Sequence, residues 1–171
     1  MSPIYRQPVN GGVRNLIATV GKDGMLRVID RDTRERVFET PVTTREDVDA
    51  PVTTEGTRAC PGVLGGVEWN GPAWHPPTGT LVTPAVDWCF TFREYAPAEV
   101  QYVEGQNYLG GEVIPDDRRT GWLTSVDAVH GDGPMALPLR GRHGRRRDHH
   151  PSGFWWGDTP GSPAIVVFSL P

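Results

Sequence analysis

Residues 15–42 read NLIATVGKDGMLRVIDRDTRERVFETPV, and this stretch decides the fold class. Leu16, Ala18 and Val20 alternate with Ile17 and Thr19, and Leu26 and Val28 alternate with Arg27 and Ile29. That period of two is what a strand with one buried face imposes. Turn chemistry at Lys22-Asp23-Gly24 and at Asp30-Arg31-Asp32-Thr33 separates the runs. The pattern predicts a three-strand antiparallel meander.

Further along, residues 43–57 are polar and read as a loop. Pro76-Pro77-Thr78-Gly79 announces a strand over 79–86, and another strand starts over 121–127. Residues 92–120 between them are polar and irregular, which predicts a long surface loop. Glycine (21) and proline (17) are abundant in the 171 residues, favouring short strands and many turns over long helices. The class expected is all-β. An apolar strand ending in aspartate and then a turn occurs at Val28-Ile29-Asp30 and again at Val126-Asp127. Such recurrence suggests propeller blades of about 40 to 50 residues, with room for about three four-stranded blades.

A formal charge of −4 argues against a nucleic-acid binder as a whole. No run approaches the roughly 18 apolar residues of a membrane span, and the start, MSPIYRQPVNGG, has no apolar leader region. Cys60 and Cys89, the only cysteines, bracket a glycine- and tryptophan-rich run, CPGVLGGVEWNGPAWHPPTGTLVTPAVDWC. With no CxxC and no histidines at zinc spacing, they fit a disulfide in an oxidising compartment better than a metal site. Two free buried thiols are the other reading. The oxidising compartment and the missing leader are reconciled if the chain lacks its natural front end.

Residues 129–150 differ from the rest, with four of the five histidines and five arginines in eight positions from Arg140 to Arg147. A solvated, disordered run is the plain reading, and a polyanion patch is the alternative. A shifted reading frame accounts better for the composition: read one base later, the codons of 134–150 allow an apolar, β-like text with Trp at the Met135 codon. Residues 151–171 then return to the original frame. An undisturbed frame with normal codon statistics in the gene sinks this idea.

The 60–89 run, the GKDGMLRVIDRDT meander and the ending PSGFWWGDTPGSPAIVVFSLP together resemble the pyrroloquinoline-quinone (PQQ)-dependent alcohol dehydrogenases, over about residues 13–128 and 151–171. The resemblance implies an eight-bladed β-propeller with a central quinone beside calcium or a lanthanide, oxidising alcohols or aldose sugars in the periplasm. A cytochrome or a quinone would accept the electrons. This chain looks like a C-terminal fragment: a partial propeller over 1–128, an irregular segment over 129–150, and a closing tail over 151–171.

Carried over by position, Lys22 falls where the family places a cation on the quinone oxygens, a role suited to stabilising charge that develops there. Without the resemblance, Lys22 is a solvated turn lysine. Glu68 falls where many relatives carry an asparagine against the cofactor, with Trp69 next to it. A carboxylate there is repelled by a carboxylated cofactor unless it is protonated, turned away or paired with Lys22; Asn70 is a substitute amide. Trp69 and Trp74 read equally as propeller packing. Gly65 and Gly66 allow close backbone approach or a bulge. Cys60 and Cys89 match a disulfide of the relatives in type and spacing, worth about 3 kcal/mol if unstrained.

The family's general base and metal ligands come from blades before the matched region, so no residue here takes those roles. Asp87, Asp116 and Asp117 read as solvated loop acids. The expectation is a chain inactive alone. The rival is a non-catalytic propeller module for binding or assembly, self-associating through open strand edges.

Overall fold

The computed structural model describes residues 2–68, 70–132 and, as backbone, 135–139. Among these there is no helix; two antiparallel sheets account for the regular structure. The first is a meander of β1 (Ile4–Val9), β2 (Gly12–Val20), β3 (Met25–Asp30) and β4 (Arg36–Pro41), in that spatial order. The predicted three strands are present, and β1 adds a fourth. Its signal is Asn10-Gly11, both at positive φ and closing Val9 onto Gly12, the dipeptide a two-residue hairpin favours.

The second sheet contains β5 (Thr57–Ala59), β6 (Ala73–His75), β7 (Thr80–Glu94), β8 (Gly111–Asp127) and β9 (Met135–Leu139). β7 lies centrally, with β8 and then β9 on one side and both β5 and β6 on the other. Of the expected loop over 92–120, residues 92–94 and 111–120 are strand, and only 95–110 form the loop between them. β7 and β8 pair from Thr80↔Asp127 out to Glu94↔Gly111, with a bulge between Trp88 and Phe90. The outer half was hidden because charged residues, not alternating apolar ones, hold it: Arg93 meets Glu112 across the pair at 3.2 Å. Part of the segment expected to be irregular, 135–139, is β9; the rest of 129–150 from Arg140, the shifted-frame reading there, the tail 151–171 and a third blade lie outside the described residues.

Prolines inside strands occupy positions where no ladder bond is needed. Pro84 of β7 lies between the stretches paired to β6 and to β5, and Pro115 of β8 lies beyond the stretch paired to β9. One apolar cluster joins the two sheets: Leu16, Ala18, Leu26 and Val28 of the first meet Leu81, Ala85 and Val126 of the second. The alternation read in 15–42 is the buried face of this cluster. Tyr5 caps it, stacked on Trp74 at 4.6 Å and donating its hydroxyl to the Ala128 carbonyl at 2.9 Å.

The recurrent aspartate turn is one structure built twice. The Asp30 carboxylate accepts the amides of Asp32 and Thr33, and its carbonyl accepts Arg34 N. The Asp127 carboxylate accepts Val129 and His130 N, and its carbonyl accepts Gly131 N. Arg34 and Gly131, equivalent in the two turns, both have positive φ. The turns lie farther apart than a 40–50-residue blade allows, because long loops and the outer β7–β8 hairpin intervene.

The Thr33 and Asp32 amides hold the Asp30 carboxyl below its ordinary value of 3.8. A carboxylate depressed by folding stabilises the fold above its unfolded pKa, and this is lost as pH falls through the folded value. Asp30→Asn is therefore expected to lower the urea midpoint at pH 7, with a smaller gap to the parent at a pH well below 3.8. A gap of equal size at both pH values would contradict this role.

Candidate functional site

The β2–β3 turn brings Lys22 to the first sheet's border with the second. Gly24 takes positive φ (70°), its amide bonds Gly21 O at 3.0 Å, and Asp23 accepts Met25 N while pairing with Arg27. A turn so fixed leaves Lys22 as its projecting residue, with a side chain 63% exposed.

Against this turn lies the loop over 60–68, running along the β7 edge in the gap between β5 and β6. Gly62 N donates to Trp88 O, and Val86 N donates to Gly66 O. Gly66 N donates to Lys22 O at 2.8 Å, so one glycine hydrogen-bonds to both sheets. A Cβ on Gly65 would stand 2.7 Å from Lys22 Cα, and one on Gly66 would stand 2.9 Å from Gly24 Cα. The close approach expected of these glycines is what lets loop and turn touch.

The same loop carries Glu68 to Lys22. Lys22 Nζ and Glu68 Oε1 are 2.7 Å apart, with the Glu68 side chain only 18% exposed. Of the three ways a carboxylate could be tolerated beside an anionic cofactor, pairing with Lys22 is the one observed. Trp69 lies outside the described residues. Asn70 donates to Pro84 O at 3.4 Å, and Trp74 packs on Tyr5 and the core.

Cys60 and Cys89 form a disulfide that ties the start of the loop to β7. Two acids expected to be solvated are engaged instead. Asp87 accepts Thr44, Thr120 and Trp122 donors at 2.9–3.1 Å, fastening the 43–44 segment and β8 behind the site. Asp116 pairs with Arg58 at 2.9 Å, while Asp117 is exposed. Among the described residues, no three His, Cys, Asp or Glu side chains converge as metal ligands.

The polar loop over 43–57 contributes more than expected. Asp47, Val48, Ala50 and Val52, with Phe92 and Lys22, line a cleft of about 370 Å³. Val48 and Val52, two apolar residues in a polar run, are its local signal, and Phe92 joins the lining from β7, far outside that run.

No family model and no curated protein matches the chain. Solved structures do. A quinohemoprotein alcohol dehydrogenase from Pseudomonas putida HK5 matches 81% of this chain with 25% of its own length, at TM-score 0.66 and 16% identity. A europium-containing methanol dehydrogenase matches 81% with 27% of its own, at 0.63 and 20%. The quinohemoprotein alcohol dehydrogenase of Comamonas testosteroni matches 81% with 24%, at 0.62 and 16%. The chain thus spans about a quarter of the length of these structures, and what it shares with them is a fold, that of a partial all-β propeller.

Proposed function

We propose that this chain forms one wall of a quinone pocket of the PQQ-dependent alcohol dehydrogenase type, with Lys22 as the cation on the cofactor, Glu68 as its support and Trp69 as an aromatic contact. The observation that carries the reading is the 2.7 Å Lys22–Glu68 pair seated on Gly65 and Gly66. The donor set suits an anionic quinone: the Lys22 side chain is largely exposed, its ammonium is held on one side by Glu68, and its backbone carbonyl is fixed by Gly66 N. Glu68, offset by Lys22, no longer repels carboxylates. When bound, such a quinone supplies a two-electron acceptor for an alcohol. Lys22 would donate N–H to a quinone oxygen and stabilise negative charge there, and Glu68 would orient the ammonium.

On this reading the general base and the calcium or lanthanide ligands belong to other blades. Alcohol or sugar substrates, a cytochrome or quinone acceptor and a periplasmic setting are properties of the intact type, and this chain alone does not turn over. Titrating the purified protein with PQQ, followed by tryptophan fluorescence, tests the pocket. Saturable binding is expected, weakened about tenfold by Lys22→Ala. With PQQ, calcium, alcohol and an artificial acceptor, no dye reduction is expected; robust reduction overturns the inactivity, and absence of quinone binding overturns the pocket.

The second reading, a binding or assembly module, draws on the open edges: β1 and β4 each pair on one side only among the described residues. Self-association rising with concentration in sedimentation, without quinone binding, favours it.

A further inference from the structure

The second sheet repeats the first. The aspartate turn that follows β3 recurs after β8, so Asp30 corresponds to Asp127, and the strand registers carry the match inward. Ile29 then corresponds to Val126, and Ile17 and Ile4, which lie in line with it across β2 and β1, correspond to Leu81 and Trp74. On the other face of each sheet, Val28 and Ala18 correspond to Ser125 and Val82, and Leu26 corresponds to Leu123.

Burial does not follow the match. In the second sheet the row Trp74, Leu81, Val126 lies against the first sheet, with Leu81 and Val126 buried. The matching row of the first sheet is open: Ile4 is 59% exposed, and Ile17 and Ile29 are half-buried. The face that receives the second sheet, with Ala18, Leu26 and Val28, is wholly buried, whereas its counterparts Val82, Leu123 and Ser125 are only half-buried. Each of the two faces thus occurs twice and is covered once among the described residues. Isoleucines in register on three neighbouring strands make a continuous apolar row, and such a row marks a contact surface.

The two open faces are the two halves of the contact already made inside the chain. We infer that a second copy of this chain fills them: its second sheet, through Val82 and Leu123, seats on the Ile4–Ile17–Ile29 row and repeats between chains the packing of sheet on sheet within one. An apolar sheet face is matched by another about 10 Å away, and the chain carries that counterpart itself. A lipid surface fits less well, because Arg6, Arg27 and Glu39 share the face with the isoleucines. The contact joins unlike faces, so a copy bound at one face still offers the other, and association continues beyond the dimer. It needs neither the quinone pocket nor the strand edges.

Sedimentation velocity of the full chain without quinone tests the inference. The parent is expected to gain mass with concentration, past the dimer. Ile4→Glu on one face and Ser125→Glu on the other should each weaken self-association about tenfold or more, as an unpaired charge inside an apolar contact does. Neither position is buried, so the thermal unfolding of both variants should stay near that of the parent. Mixed in equal parts, the two variants should form a one-to-one dimer and nothing larger, since together they keep one intact pair of faces. A parent that stays monomeric overturns the inference. So does association that both variants leave unchanged, which assigns it to the strand edges, and so does a mixture that gains no mass over its separate components.

Discussion

Gly65→Ala is expected to lose about 3 kcal/mol of stability, a fall of about 10 °C in Tm, and to weaken quinone binding together with it. Two costs add. Gly65 sits at φ +77°, where an L-residue is strained by about 1–2 kcal/mol. The new Cβ would also stand within 2.7 Å of Lys22 Cα, a backbone atom that moves only if the β2–β3 turn moves, and overpacking of that kind costs about 1–3 kcal/mol. Gly11 is the control, because it has nearly the same φ (+81°) but nothing within 4 Å of its missing Cβ. Gly11→Ala should therefore show the backbone strain alone. Thermal unfolding of the two variants separates the terms, and equal losses would mean that Lys22 does not rest on Gly65.

Removing the crosslink is expected to cost a comparable amount. Cys60 and Cys89 lie 29 positions apart and are buried. Closing a loop of that length restricts the unfolded chain by about 3 kcal/mol. Cys60→Ala with Cys89→Ala should thus shift the urea midpoint down in proportion, and reduction of the parent should reproduce the shift. The effect should reach the site, because the disulfide anchors the loop that carries Gly65, Gly66 and Glu68 to β7. Unchanged midpoints with and without reductant would show that the pair contributes nothing. A Lys22 response to quinone unaltered in the double variant would show that the loop is held by its glycine hydrogen bonds alone.

Local pattern made the first sheet legible. Residues 15–42 alternate with period two, and their turns carry their own instructions: Asp30 accepts the amides two and three positions on, and Gly24 supplies a positive φ. β1 is absent from the expected three strands, although Asn10-Gly11 carries its hairpin signal. The outer halves of β7 and β8 were not legible. Their residues are held by cross-strand pairs such as Arg93 with Glu112 and by Trp88 Nε1 donating to Asp116 O. The partners lie far apart in the chain, so neither strand betrays itself within its own window.

The site divides in the same way. Resemblance singles out Lys22 and Glu68 by position alone; that they touch depends on two glycines allowing a loop of one sheet to reach a turn of the other. Asp87 shows the limit most plainly. As a lone acid it reads as solvated, yet three donors from two distant segments, Thr44 and the β8 residues Thr120 and Trp122, converge on it. The sequence by itself determined the all-β class, the strands of the meander, the aspartate turns and the two cysteines available to pair, since each rests on interactions among neighbours in the chain. Only the tertiary structure decided the pairing of Lys22 with Glu68, the burial shared between the sheets and the length of the β7–β8 hairpin, because each depends on contacts between residues that the chain keeps far apart.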